Sequence, residues 1–262
     1  VNNNTLQGIS VFTNSNVTFT GVSDTAAFNI SNSGERGMYV NSGANLTLTN
    51  MDVSITGSTQ REVYGAICNH LTVNGNGSNN FNVTGNSTRA GLHMLRDSIS
   101  PVSNFTNVNV NISNNDQYGI WMESRNGETN TLNVSSTNGN NNLVINNNKY
   151  DGIWAVNSQL NFAGMNIEIL NNGFGAQAGN GAAVNDDGID LDGKLTVTGS
   201  SQGNNMNVSN NAMHGVFISA ATNGIQSGLS AQDMNITLNG NGGYGLYLNG
   251  VPGTIESTNN NN

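Results

Sequence analysis

Residues 185–193 read NDDGIDLDG and carry four carboxylates in seven residues: Asp186, Asp187, Asp190 and Asp192. Carboxylates at this density have two common chemical uses. An oxygen-rich acidic cluster suits Ca²⁺. Paired Asp or Glu side chains about 5 to 5.5 Å apart act as nucleophile and acid/base on a sugar in retaining glycoside hydrolysis. Whether either use applies here depends on the elements that position the stretch.

Those elements are repeats. The pattern Gly, apolar, any, apolar recurs at Gly37, Gly65, Gly91, Gly119, Gly152, Gly188, Gly215 and Gly245, at spacings of 28, 26, 28, 33, 36, 27 and 30 residues. Further short alternating runs fill most intervals. Leu46-Thr-Leu is followed by Met51-Asp-Val-Ser-Ile, and Leu160-Asn-Phe by Met165-Asn-Ile-Glu-Ile. Alternation over three to five residues is a strand signal with one buried face. No stretch has sustained helical periodicity. Three short strands per repeat, punctuated by Gly and Asn, predict one turn of a parallel β-helix, because each repeat can bury its apolar side only by stacking on its neighbours.

The expectation is therefore an all-β, right-handed parallel β-helix with three strands per turn and eight to nine turns, about 40 Å long. It forms one domain over 1–262, with an opening turn in 1–36 and a low-complexity tail in 256–262. The two apolar residues of each copy point inward, which makes Cys68 and the methionines Met94, Met122, Met165 and Met206 core residues. Asn at the turns suits left-handed backbone and can hydrogen-bond along a stack of like residues.

Composition excludes several function classes. Charged residues are 9% of the chain, against roughly 25% in average domains, and the net charge is −9 with seven Lys and Arg. Nucleic-acid binding needs a basic footprint, which is missing. No apolar run of about 18 residues predicts a membrane span. One cysteine permits no intramolecular disulfide. Asn-x-Ser/Thr triplets at Asn16, Asn29, Asn45, Asn111, Asn207 and Asn235 read as a by-product of alternating Asn/Thr strands in a bacterial protein. VNNNTLQG at the start and ESTNNNN at the end read as cuts in a longer chain.

The middle residues of the copies, Tyr39, Ile67, His93, Trp121, Trp154, Asp190, Phe217 and Tyr247, form a column expected to face outward. Five of these eight are aromatic, in a chain that is 6% aromatic. The residues just before each Gly form a second outward column: Arg36, Tyr64, Ala90, Tyr118, Asp151, Asp187, His214 and Tyr244. Such aromatics either pair across strands and shield the sheet or offer faces to sugar rings. The seven cations, Arg36, Arg61, Arg89, Arg96, Arg125, Lys149 and Lys194, all lie within a few residues of a repeat Gly and so flank the aromatic face. Guanidinium forks suit carboxylates. Asp187 stacks between Asp151 below and His214 above, about 5 Å apart if the register holds.

On this pattern the chain resembles the pectate-lyase-like β-helix superfamily along nearly its whole length. Asn185-Asp186-Asp187-Gly188-Ile189-Asp190 is similar to the N-T-D-G-x-D motif of polygalacturonases. That family also has an Asp pair on the next turn, a Gly-His-Gly and an Arg-Ile-Lys. Here the next turn, Asn210-Asn211-Ala212-Met213-His214-Gly215, supplies only His214-Gly215, and no Arg or Lys follows Lys194. The Asn/Thr/Ser-rich, Gly-punctuated, cysteine-poor texture more closely resembles the binding region of serine-rich repeat adhesins of lactobacilli. That resemblance implies a non-catalytic, monomeric module displayed on the outside of a Gram-positive cell, wall-anchored through other regions. Its partners would be pectin-type polysaccharides and host mucosal glycans.

The expected ligand-binding residues are Tyr39, Tyr118, Trp121 and Trp154, stacking on sugars, and Arg89, Arg96 and Arg125, pairing uronate carboxylates. No cofactor is expected, although Ca²⁺ at Asp186, Asp187, Asp190 and Asp192 stays open. The alternative is a polyuronate lyase or hydrolase acting through Asp151, Asp187, Asp190 and His214. In the binding reading, protonation of the acidic cluster relieves repulsion of a polyuronate, so binding is expected to be stronger near about pH 4 to 5 than near 7.

Overall fold

The structure is a computed structural model. It describes residues 1–23, 25–41, 43–58, 64–87, 89–94, 100–124, 127–174, 186–201 and 203–257, without the side chains of Tyr64, Ile67 and Cys68. The chain winds as a parallel β-helix whose strands form three faces. Every strand pair recorded is parallel and joins one turn to the next. The described residues contain no helix long and apolar enough to cross a membrane.

The first face starts at Ile9–Val11 and continues through Met38–Val40, Tyr64–Cys68, Ala90–Met94 and Tyr118–Glu123 to Leu246–Asn249. Each Gly-headed copy seen in the sequence supplies one of its strands. A further copy, Gly8-Ile9-Ser10-Val11, pairs with Met38–Val40 and heads the stack. It fits the same Gly, apolar, any, apolar pattern, with Ser10 in the middle, and adds a copy to the eight counted from the sequence.

The second face runs from Asn16–Thr20 to Gly253–Glu256, and the third from Ala27–Ser31 to Met234–Thr237. The three strands of each turn do not fall into three separate sheets. Ile153–Ala163 and Ile189–Thr198 each run through the corner between the first and second faces, joining these into one sheet of 16 strands beside a third-face sheet of 8. These two strands stay paired around the corner, with one register shift between Val156 and Ser158.

Period-two alternation puts the apolar residues inside. Leu92, Met94, Ile120, Met122, Ile153, Ile189 and Leu191 of the first face are buried, as are Met165 and Met206 from the third-face side. Phe81, Phe105 and Phe162 are the largest buried side chains, and Phe81 meets Phe105 edge-on at 5.0 Å. Truncating any one of them to Ala would cost about 3 to 5 kcal/mol, from lost transfer energy plus the cavity left behind.

Two devices turn the chain between the third and first faces. A left-handed residue breaks the strand: Asn114 (φ 58°), Asn147 (57°), Asn171 (56°) and Asn210 (56°), with Gly85 and Gly240 at matching places. Asn tolerates this backbone region better than other side-chain-bearing residues. The next residue is an asparagine, buried from Asn86 to Asn211 and half-buried at Asn241, and these amides bond one to the next along the axis. Asn86 donates to Asn115 (3.0 Å), Asn115 to Asn148 (3.0 Å), Asn148 to Asn172 (3.0 Å), Asn172 to Asn211 (3.1 Å) and Asn211 to Asn241 (3.0 Å). Each of these oxygens also accepts a main-chain N–H, as Asn148 Oδ1 does from Asn115 at 3.1 Å. Buried polar groups must be satisfied in this way.

This ladder explains the repeat glycines. A Cβ on Gly119 would lie 2.7 Å from Asn148 Nδ2, 2.6 Å from Ile145 and 2.5 Å from the Gly152 carbonyl. Gly152 and Gly188 meet the same three kinds of neighbour. The glycine is required by close approach of the ladder and the next turn.

Candidate functional site

Outward residues of the first face gather where the stack is richest in aromatics. Register sets His93 beside Trp121, Trp121 beside Trp154, Trp154 beside Asp190, Asp190 beside Phe217 and Phe217 beside Tyr247. The expected column is therefore continuous, but its members do not share one environment.

In the lower part, Tyr118, Trp121 and Trp154 form one partly exposed cluster. Ring centroids lie 5.3 Å apart for Tyr118 and Trp121, 5.5 Å for the two tryptophans and 5.7 Å for Tyr118 and Trp154, the last pair stacked. Tyr150 meets Tyr118 edge-on at 5.4 Å. The Arg89 guanidinium sits 5.9 Å from the Trp121 ring. Tyr39 lies farther down the stack, with Arg36 4.8 Å over its ring and Phe12 against its edge. Of the four sugar-stacking candidates, Tyr118, Trp121 and Trp154 meet ring to ring, and Tyr39 joins them through Ala90, against which Tyr39, Tyr118 and Trp121 all pack.

His93 departs from its expected place. It is 1% exposed, packed 4.8 Å from Trp121, and its imidazole is pushed down to about 3 by burial and then by the Arg89 and Arg36 charges. Trp121, its partner on the next strand, packs against it. The column before each glycine departs more widely. Ala90, Asp151, Asp187 and His214 are buried, while Tyr118 is half-buried and Tyr244 exposed. That position lies at the corner where the strand begins, as Ala90 and Tyr118 show, and its cover varies from turn to turn. The sheet alternation that exposes the middle residue does not apply there.

The cations also divide. Arg36 pairs with Glu35 at 3.6 Å and, like Arg89, flanks the aromatic strip. Lys149 is held by Asp116, and Lys194 lies on the second face between Gln159 and Gly228. These two do not border the strip. Arg61, Arg96 and Arg125 lie outside the described residues.

Above the aromatic cluster sits the acidic one, and the expected stack of Asp151, Asp187 and His214 is present. The Asp187 main-chain N–H donates to Asp151 Oδ1. The His214 N–H donates to Asp187 Oδ1 at 2.6 Å, and His214 Nδ1 lies 3.0 Å from the same oxygen. Asp190 is half-buried beside Trp154, and Asp192 accepts the Ser219 hydroxyl. Among the described residues, Asp187 Oδ2 and Asp186 Oδ1 are buried without a hydrogen-bond partner.

Crowding of carboxylates in a poorly solvated corner favours their neutral forms. Burial, with the Asp187 and Asp192 charges added, lifts Asp190 to about 7. Burial and the Asp187 charge lift Asp186 to about 6. Asp151 is raised well above its ordinary range by burial and then by the Asp190 charge. Asp187 is also raised by burial, with the His214 hydrogen bonds opposing. The Tyr118 hydroxyl is pushed up by burial and by the charge of Asp151. The upper end of the stack closes with His214, Phe217, Tyr244 and Tyr247, the imidazole stacked on Tyr244 at 5.5 Å and on Tyr247 at 5.6 Å.

The metal proposal finds no arranged group of three or more His, Cys, Asp or Glu among the described residues. Chemically, the corner holds protons close to neutrality, and the strip beside it presents flat apolar rings with an adjacent guanidinium. No protein-family model, no curated protein and no solved structure matches the chain. The class is defined by the fold itself: a parallel β-helix with an aromatic–acidic strip along one face.

Proposed function

We propose that this β-helix is a non-catalytic carbohydrate-binding module of a bacterial cell-surface adhesin, taking acidic, pectin-type polysaccharides and mucosal glycans along its first face. The observation that carries the reading is the contiguous, part-exposed cluster of Tyr118, Trp121 and Trp154 with Arg89 against it. Aromatic side chains join a large apolar face to a polar tip, which suits sugar rings. The guanidinium adds a partner for a uronate carboxylate. A shallow strip that meets many sugars gains by multivalency, so weak individual contacts suffice.

The acidic corner tunes this binding. Asp190 and Asp186, raised to about 7 and about 6, lose charge as pH falls below those values. A polyuronate keeps part of its charge down to about pH 4. Repulsion therefore falls before the ligand is neutralised, and affinity is greater at pH 4.5 than at 7.

A second reading, a lyase or hydrolase acting on polyuronates, draws on the Asp187–His214 contact at 3.0 Å and on the raised carboxylates. Against it, Asp151 and Asp187 are buried and spend an oxygen each on main-chain N–H groups. Acid/base groups must reach the bond being broken.

Size-exclusion of a defined polygalacturonate with the protein, at pH 4.5 and 7 and with and without Ca²⁺, separates the two. Co-elution at full polymer length supports the binding module. Shortening of the polymer establishes the enzyme instead.

A further inference from the structure

The corner between the third and first faces carries two asparagine columns side by side. The buried one is saturated by its own ladder. The other, one residue earlier on each turn, holds the left-handed Asn114, Asn147 and Asn171, all exposed. Among the described residues, the side-chain amides of these three make no hydrogen bond within the protein. They repeat about 4.8 Å apart along the axis, on the scale of a single sugar ring.

These amides line a groove. A cavity of 230 Å³ spans Gly85, Asn114, Asp116, Asn147 and Lys149, and a second of 260 Å³ runs from Asn147 and Lys149 to Asn171 and Phe174. The two meet at Asn147 and Lys149. Phe174, at the far end, is 68% exposed and lies outside the hydrophobic core. Among the described residues that line the groove, the one cation, Lys149, is already paired with Asp116, so they offer little net charge. It provides a row of amide donors and acceptors that ends at an open aromatic face.

We propose that this groove is a second glycan site, which takes an uncharged, hydroxyl-rich sugar chain lying parallel to the helix axis. Hydroxyls pair with the amides of Asn114, Asn147 and Asn171, each of which both donates and accepts. A ring at one end stacks on Phe174. This goes beyond the first-face reading, because it uses neither the aromatic strip nor the acidic corner. The left-handed backbone positions each amide, and glycine can replace it without strain. The protein itself places Gly85 and Gly240 at this position on other turns.

The test uses neutral gluco- and galacto-oligosaccharides of about six sugars, with polygalacturonate as the contrasting ligand, followed by amide chemical shifts and calorimetry. The variants are Asn147→Gly, Phe174→Ala and Trp121→Ala with Trp154→Ala. The expected result is that a neutral oligosaccharide shifts the amides of 114–116, 147–149 and 171–174. Phe174→Ala weakens its binding about tenfold and Asn147→Gly several-fold, while the tryptophan pair leaves it unchanged. Unchanged melting of Asn147→Gly confirms that the amide and not the fold was removed. The proposal is overturned if no neutral oligosaccharide shifts the corner amides, or if the tryptophan variants and not the corner variants weaken its binding. Polygalacturonate answers separately for the first face, so one reading can fail while the other stands.

Discussion

Trp154 and Asp190 are partners on adjacent strands of the same face, yet the regions around them behave oppositely. Below, Tyr118, Trp121 and Trp154 pack on one another, and Trp121 on His93, while part of the three rings stays open to solvent. Above, Asp151, Asp187 and His214 are drawn into the corner, and Asp190 is left half-covered beside them. The backbone is the same in both. What differs is the residue type and how far the neighbouring turns cover it. The middle of the strand leaves Trp121, Trp154 and Asp190 part-exposed but buries His93, and the place before the glycine buries Asp151, Asp187 and His214 but leaves Tyr118 half-buried. Aromatic residues tolerate either position, whereas carboxylates in the second must share protons or accept main-chain hydrogen bonds.

The largest effect expected from breaking this contrast is on binding. Trp121→Ala with Trp154→Ala should weaken polygalacturonate binding at pH 4.5 by about a hundredfold, as loss of two central aromatic anchors does at binding surfaces. Asp190→Asn should leave affinity unchanged at pH 4.5 and raise it at pH 7. Calorimetry at both pH values reads both outcomes. Loss of binding in Asp190→Asn would reassign the acidic corner to the ligand.

Next comes stability. Asp187→Ala strips Asp187 Oδ1 from the His214 N–H and should cost about 1 to 3 kcal/mol for the orphaned donor. Asp187→Asn keeps an acceptor and should cost less. Chemical denaturation of the pair tests whether this carboxylate is structural, and equal losses would argue that its charge matters and its acceptor does not.

A smaller effect follows from linkage. The folded values of Asp190 and Asp186 lie above the ordinary value of 3.8, at about 7 and about 6. The folded form therefore holds these protons more tightly than the unfolded chain. Stability is full below pH about 4 as far as these groups are concerned, and it falls as pH rises through 6 and 7. Melting temperature should rise on moving from pH 8 to pH 5. Asp190→Asn should remove part of that rise and gain on the order of 1 to 2 kcal/mol at pH 8. A melting temperature that falls over the same interval would contradict the assigned directions.

The smallest effect concerns the buried histidine packed against Trp121. His93, held near 3, should show no imidazole titration by NMR between pH 5 and 8.

Much of the scaffold is legible along the chain. Alternating runs such as Leu46-Thr-Leu and Met165-Asn-Ile-Glu-Ile give strands with their inward residues correct. The Gly-headed copies give the register, since a parallel stack with one face buried leaves no other alignment. The stack of Asp151, Asp187 and His214 follows from that register alone. Less legible was the groove at Asn114, Asn147 and Asn171. The signal was present as paired residues, Asn114-Asn115, Asn147-Asn148, Asn171-Asn172 and Asn210-Asn211, ahead of the repeat glycines. Nothing local to those pairs says which member is buried.

The sequence by itself determined the winding and its period, because periodic apolar residues, left-handed Asn or Gly and close-packed glycines are conditions each turn carries within it. Only the tertiary structure decided exposure at the corners. A corner residue is covered or left open by the turn above it, and that turn lies about thirty residues away. Solvation, and with it the charge of Asp151, Asp187 and Asp190, is set by that distant neighbour. The chemical character of NDDGIDLDG is therefore a property of the stack and not of the nine residues.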